Sequence, residues 1–123
     1  MATQNNWTEG YYTIASVKSG KFLDVDAMTL QQDGAPIQIY SYSNGQNQHW
    51  MLKPAGDKYY KLICRASGKA LDVISAGVTN GAWVHQWSEV DSDSQLWYLE
   101  PSQEGAFKIK SKMSDKCLDI IGI

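Results

Sequence analysis

Two aspartates of this 123-residue chain stand in near-identical settings, Asp24 within Leu23-Asp24-Val25 and Asp72 within Leu71-Asp72-Val73. Each is followed, at closely matched distances, by a polar side chain, a ring and a glutamine. After Asp24 these are Gln38, Tyr40 and Gln48; after Asp72 they are His85, Trp87 and Gln95. Asn47 precedes Gln48, and Ser94 holds the corresponding place before Gln95. A carboxylate is a strong acceptor that can take two neighbouring hydroxyls at once. An aromatic face covers a patch of C–H groups, and fixed amides replace the water bonded to a polar ligand. Carboxylate, ring and amide together suit a neutral polyol such as a sugar.

The elements that carry these residues repeat. Tyr12, Tyr60 and Phe107 open three similar segments, 48 and then 47 residues apart, and Asp24, Asp72 and Asp119 follow with the same spacings. Ser19-Gly20-Lys21-Phe22-Leu23-Asp24-Val25 recurs as Ser67-Gly68-Lys69-Ala70-Leu71-Asp72-Val73, and again as Ser114-Asp115-Lys116-Cys117-Leu118-Asp119-Ile120. Gly34-Ala35 returns as Gly81-Ala82, and Gln48-His49-Trp50 as Gln95-Leu96-Trp97. A fixed period is the mark of a repeat architecture. We divide the single domain, 1–123, into repeat one (about 10–56), repeat two (about 57–104) and a partial repeat three (105–123).

Each unit reads as four short strands. Tyr12 and Ile14, Tyr60 and Leu62, and Phe107 and Ile109 alternate with polar neighbours, the period of a half-buried strand. The Ser-Gly-Lys tripeptide is a turn in which glycine supplies a positive φ. Leu23 and Val25 share one face of strand two and Asp24 takes the other, away from the core; Ile37 and Ile39 oppose Gln38 and Tyr40 on strand three. Trp50 and Leu52, like Trp97 and Leu99, point inward on strand four. So short a unit cannot bury its own apolar face, and copies must pack on one another. Aromatic anchors without helical periodicity argue for a closed threefold barrel, an all-β fold of the β-trefoil type with its third repeat incomplete.

The repeated Leu-Asp-Val, the Gly-Ala before strand three and the Gln-x-Trp closing each unit resemble the ricin-B-type lectins and the similar carbohydrate-binding modules appended to bacterial glycosidases. The resemblance runs from about Gly10 to the last residue and is specific because the motifs recur in register. It implies a multivalent binding module for galactose-type sugars, with xylose-type next, in a secreted or extracellular protein. Residue by residue it implies Asp24 as hydroxyl acceptor, Tyr40 as stacking ring, Gln38 and Asn47 as polar contacts, and Gln48 as a support for Asp24. In repeat two it implies Asp72, His85, Trp87 and Gln95, with altered preference because His85 replaces Gln38 and Ser94 replaces Asn47. Repeat three keeps only Asp119. It departs from the family at the C-terminus, short of strands three and four: either the chain is a fragment of a longer protein, or an oligomer or a partner chain completes the repeat. Trp7, after Gln4-Asn5-Asn6, faintly echoes a Gln-x-Trp.

Other readings are weaker. Asp24 and Asp72 could instead bond nearby backbone N–H groups and stabilise their hairpins. Hydrolysis by the two carboxylates would need both to face one bond, whereas equivalent positions of a threefold barrel lie on different lobes; we expect no enzyme in this chain, though it can be the appended module of a larger glycosidase or toxin. A protein-interaction β-trefoil, a toxin-complex subunit or inhibitor without sugar binding, is the main alternative. With 11 basic and 13 acidic residues and no basic run, there is no footprint for nucleic acid. No apolar stretch reaches membrane-spanning length, so membrane insertion is not expected. Cys64 and Cys117 sit at different places in the repeat and read as free thiols without a zinc partner spacing; no metal or organic cofactor is implied. His49 reads as a surface residue, and Lys21, Lys69 and Lys116 as solvated turn residues.

Overall fold

The computed structural model describes residues 7, 10–74, 77–103 and 105–118. Among the described residues nine short strands follow one another: β1 (Tyr11–Tyr12), β2 (Phe22–Val25), β3 (Ile37–Tyr40), β4 (Trp50–Pro54), β5 (Tyr60–Cys64), β6 (Ala70–Val73), β7 (Val84–Trp87), β8 (Trp97–Pro101) and β9 (Phe107–Ser111). Single 3-10 turns at Ala27–Thr29, Gln46–Gln48 and Asp93–Gln95 link some of them, and no longer helix occurs among the described residues.

The strands divide by role. β1, β4, β5, β8 and β9 pair antiparallel in that order and form the staves of a barrel. β2 with β3, and β6 with β7, form hairpins beside it. The two classes are the first and fourth, and the second and third, strands of successive repeats, which is the β-trefoil arrangement. In the third unit the Lys110–Cys117 bridge and the bond from Leu118 N to Ile109 O begin the same hairpin return seen at Ala15–Phe22 and Leu23–Ile14. Asp119 lies outside the described residues. β1 ends at Tyr12, before the Ile14 that the alternation places in it, and pairs antiparallel with β4.

Alternation on the staves builds the core. On β5 every second side chain, Tyr60, Leu62 and Cys64, is buried. Trp50 and Trp97 are enclosed together with Leu52, Leu23, Val25, Leu71 and Val73. Each indole also ties its hairpin to its stave, since Trp50 Nε1 donates to Leu23 O at 3.1 Å and Trp97 Nε1 to Leu71 O at 3.0 Å. Truncating either to alanine would cost about 3–5 kcal/mol. Trp7 packs against this core edge-on to Tyr12 and Phe107, with centroids at 5.5 and 5.2 Å, and its Nε1 is enclosed without a hydrogen-bond partner. It therefore touches the first strand of repeats one and three without making the bond that Trp50 and Trp97 make.

The Ser-Gly-Lys turns superimpose in their bonding. Gly20 N, Gly68 N and Asp115 N each donate at 2.8 Å to the carbonyl four residues earlier. Their φ values, 75°, 73° and 62°, are all left-handed, so Asp115 adopts in repeat three what glycine adopts in the others. Both cysteines are free, Cys64 buried and Cys117 exposed.

Candidate functional site

Hairpin register assembles the first candidate site. Asp24 faces Gln38 across β2–β3, and Phe22 faces Tyr40, so Gln38 and Tyr40 project from the same face as Asp24. Tyr40 is 58 % exposed and Gln38 is also exposed. Asp24 takes the face away from the barrel core, as the alternation expects, and is nonetheless buried, at 3 % exposure, because the Gln46–Gln48 turn folds over β2.

That turn brings amides to the carboxylate. Asp24 Oδ1 accepts from Gln38 Nε2 at 3.1 Å and Asn47 Nδ2 at 3.2 Å; Oδ2 accepts from Gln48 Nε2 at 2.9 Å. An ionised carboxylate only accepts, so each amide must turn its nitrogen inward and keep its oxygen for other partners. Three of roughly four lone-pair positions are thus occupied by protein. The bonding partners are side-chain amides, not the backbone N–H groups that the simpler reading supposed. Gln48 is fully buried and also donates to Ser41 O at 2.9 Å, while its Oε1 accepts from Ser43 N at 3.0 Å, so it fixes the loop together with the carboxylate. Asn47 Nδ2 donates to Val25 O at 2.9 Å as well. The Asn47 side chain lies against Gly45, where an added Cβ would come within 2.6 Å of Asn47 Oδ1.

Repeat two brings its residues together differently. Asp72 faces His85 and Ala70 faces Trp87 across β6–β7. His85 Nε2 lies 2.9 Å from Asp72 Oδ2, and since the carboxylate can only accept, this nitrogen carries the proton. The His85 ring stacks on Trp87, with centroids 5.2 Å apart and planes 26° from parallel. Trp87 is 40 % exposed. Ser94 is too short to do what Asn47 does and turns to Ser92, with Oγ–Oγ at 2.9 Å. Asp72 Oδ1 is left enclosed without a hydrogen-bond partner. The expectation of Gln95 as a sugar contact needs correction. It is fully buried, donates to Ser88 O at 2.9 Å and accepts from Val90 N at 3.0 Å, so it holds a loop and is not a surface contact.

The supports of this second site come from repeat one. Gln86, fully buried on the inner face of β7, accepts from Ser67 Oγ at 2.7 Å and donates to Leu30 O at 2.6 Å and Gln32 O at 2.9 Å. Asp33 Oδ1 takes Lys69 Nζ and Ser88 N, both at 2.8 Å, so Lys69 is an inter-repeat tie and not a solvated turn residue. The Lys69 ammonium beside Asp33, helped by Ser88, holds that carboxyl below the usual carboxylate range. Gln86 belongs to none of the repeated motifs, yet a glutamine at the inward position of a strand (Ile39 in repeat one) signals a buried hydrogen-bonding partner. His49 is half-buried with its Nδ1 enclosed, another departure from the surface position expected. Asp24 and Asp72 lie on separate hairpins, each engaged by donors of its own repeat. No cluster of potential metal ligands occurs among the described residues.

A family model described as ricin-type beta-trefoil lectin domain-like matches residues 3–87 and 57–122. A search of curated proteins finds no match. Among solved structures, the designed threefold-symmetric protein ThreeFoil is 45 % identical with a TM-score of 0.87, over 90 % of this chain and 79 % of that one. The Polyporus squamosus lectin, bound to a human-type influenza-binding epitope, is 21 % identical with a TM-score of 0.82, over 96 % of this chain and 42 % of its own. An exo-beta-1,3-galactanase from Clostridium thermocellum is 27 % identical with a TM-score of 0.75, over 91 % of this chain and 24 % of its own. The chain thus spans less than half of either of these last two proteins. With its Leu-Asp-Val hairpins, its buried Gln-x-Trp indoles and a family match across nearly its whole length, the chain belongs to the ricin-type β-trefoil lectin domain-like family.

Proposed function

We propose that the chain is a carbohydrate-binding module that takes galactose-type sugars at shallow sites on the repeat-one and repeat-two hairpins. The observation that carries the reading is the Asp24 carboxylate, oriented by Gln38, Asn47 and Gln48 beside the exposed ring of Tyr40. A sugar laid on Tyr40 would direct a hydroxyl to the remaining acceptor position and others to the exposed Gln38 amide and to Asn47 beside it. In repeat two the ring is Trp87 and the acceptor Asp72, with His85 between them. Likeness to the galactanase supports galactose and an appended module of a larger enzyme as the setting; glycan-bearing surfaces outside the cell are the place for such a module. A small polar ligand buries little area, so each site should bind on the order of millimolar to high micromolar, and the two together gain strength on a surface carrying many sugars.

The test is an amide and indole NMR titration with galactose, lactose and xylose, repeated on Asp24→Ala and Asp72→Ala. Saturable shifts at the Trp87 indole or at amides around Tyr40 and Asn47, lost repeat by repeat in the variants, support the reading. A well-dispersed spectrum that no sugar moves would sink it in favour of a protein-interaction module.

A further inference from the structure

The repeat-two hairpin carries an exposed indole for which neither the core nor the site just described has a use. Beyond the β6–β7 ladder, Ile74 N donates to Trp83 O at 2.8 Å, which extends the register by one pair. Alternation then sets three pairs in file on the outer face: Ala70 with Trp87, Asp72 with His85, and Ile74 with Trp83. Trp83 is 66 % exposed and Ile74 is 38 % exposed. Four residues of strand separate the two tryptophans, about 13 Å along the hairpin. That span exceeds any single pyranose ring, and the Asp72–His85 pair lies between the two indoles.

Repeat one shows that this is not required by the fold. Its equivalent bond runs from Asp26 N to Pro36 O at 3.1 Å, so the same outer position carries Asp26 and Pro36. Asp26 there serves its own turn, accepting from Thr29 Oγ1 at 2.9 Å. The backbones correspond and the side chains do not: repeat two has an apolar, aromatic flange where repeat one has a carboxylate and a proline. An indole held this far into water gains most when a flat amphipathic ligand covers it.

We infer that Trp83, with Ile74, forms an additional sugar subsite continuous with the Asp72–His85–Trp87 site, so that repeat two grips several consecutive rings of a linear oligosaccharide while repeat one takes a single sugar. The inference rests on the carbohydrate reading above and adds chain length as the property that repeat two selects. The middle of the file supplies hydrogen bonding and its two ends supply stacking, a pattern that fits a chain of pyranoses lying along the strand. One further stacked ring is worth about a fivefold to tenfold gain in affinity.

The experiment titrates the protein with two series, β-1,3-galacto- and β-1,4-xylo-oligosaccharides from one to four rings, following the indole signals by NMR. The readout is the ratio of tetrasaccharide to monosaccharide affinity. In one series it should reach about fivefold to tenfold in the unaltered protein and fall towards one in Trp83→Ala. Trp83→Pro, which installs the residue repeat one tolerates at this place, should do the same and guards against a folding defect. Trp87→Ala should weaken every chain length. A ratio near one in the unaltered protein, or a gain that survives in both Trp83 variants, overturns the inference while leaving monosaccharide binding intact. A protein that no member of either series shifts overturns the carbohydrate reading and the inference together.

Discussion

Around Asp24 a single carboxylate organises three amides from two distant segments, and Gln48 and Asn47 each make further bonds of their own. Gln48 also holds Ser41 and Ser43, so Gln48→Leu leaves a buried acceptor and loop groups unpaired; urea denaturation should show a loss of about 2–3 kcal/mol. Asn47 can be moved more gently. Gly45 has φ −81°, a conformation open to alanine, but a methyl there meets Asn47 Oδ1. Gly45→Ala should expel the Asn47 side chain from Asp24 and Val25. The two lost bonds are partly offset by a stiffer unfolded chain, so stability should change by less than about 1 kcal/mol. Repeat-one sugar shifts around Tyr40 should weaken several-fold while those at Trp87 stay unchanged; equal weakening at both would contradict separate sites. The site residues were legible as types and spacings. Their exposure was not, because alternation describes a hairpin alone and the cover over Asp24 comes from a turn more than twenty residues downstream.

At the scale of the element, the hairpin turn is where sequence and structure agree most closely and where one copy departs. The tripeptides Ser19-Gly20-Lys21, Ser67-Gly68-Lys69 and Ser114-Asp115-Lys116 share left-handed geometry at the middle residue and the same side-chain bond, from the lysine N–H to the serine Oγ. A Cβ at Gly68 meets no atom within 4 Å, so Gly68→Ala isolates the conformational cost; thermal or urea unfolding should report a loss of about 1–2 kcal/mol. Asp115 bears that cost already and offsets it by accepting from the Tyr98 hydroxyl. Asp115→Gly should therefore change stability little, and a loss as large as that of Gly68→Ala would show that the Tyr98 bond dominates. The strands were readable because the inward residues keep a period of two against repeated turns. The inter-repeat ties were not: Lys69 and Gln86 look like any surface lysine and misplaced glutamine until the Leu30–Asp33 loop arrives beside them.

Over the whole molecule, the groups with displaced titration lie mostly where one repeat meets the next. Asp33 of repeat one meets Lys69 of repeat two; Glu89 of repeat two is held below its usual range by Lys53 of repeat one and by Lys61. Asp115 of repeat three is lowered by the Tyr98 hydroxyl, and that bond raises Tyr98 in return. Lys110 is raised by Glu100 across β8–β9. The signs set two limits. Carboxyls whose folded values are lowered contribute stability that is complete above the ordinary carboxylate range, near 4, and is lost as pH falls through the lower folded values. Tyr98 and Lys110, raised in the fold, contribute stability that is complete below about 10 and is lost as pH rises through the higher folded values. Stability should thus be level through neutrality and decline at both ends, and because these groups are largely solvent-screened, added salt should shrink both declines. Urea midpoints measured from pH 2.5 to 11 on Asp33→Asn, Glu89→Gln and Tyr98→Phe would check the assignment. The first two variants should flatten only the acid limb. Tyr98→Phe should flatten the alkaline limb and, because Asp115 loses its donor, part of the acid limb as well. An alkaline limb unchanged in Tyr98→Phe would mean that the join between repeats two and three is not held by this pair, and that the Lys110–Glu100 contact carries the alkaline sensitivity.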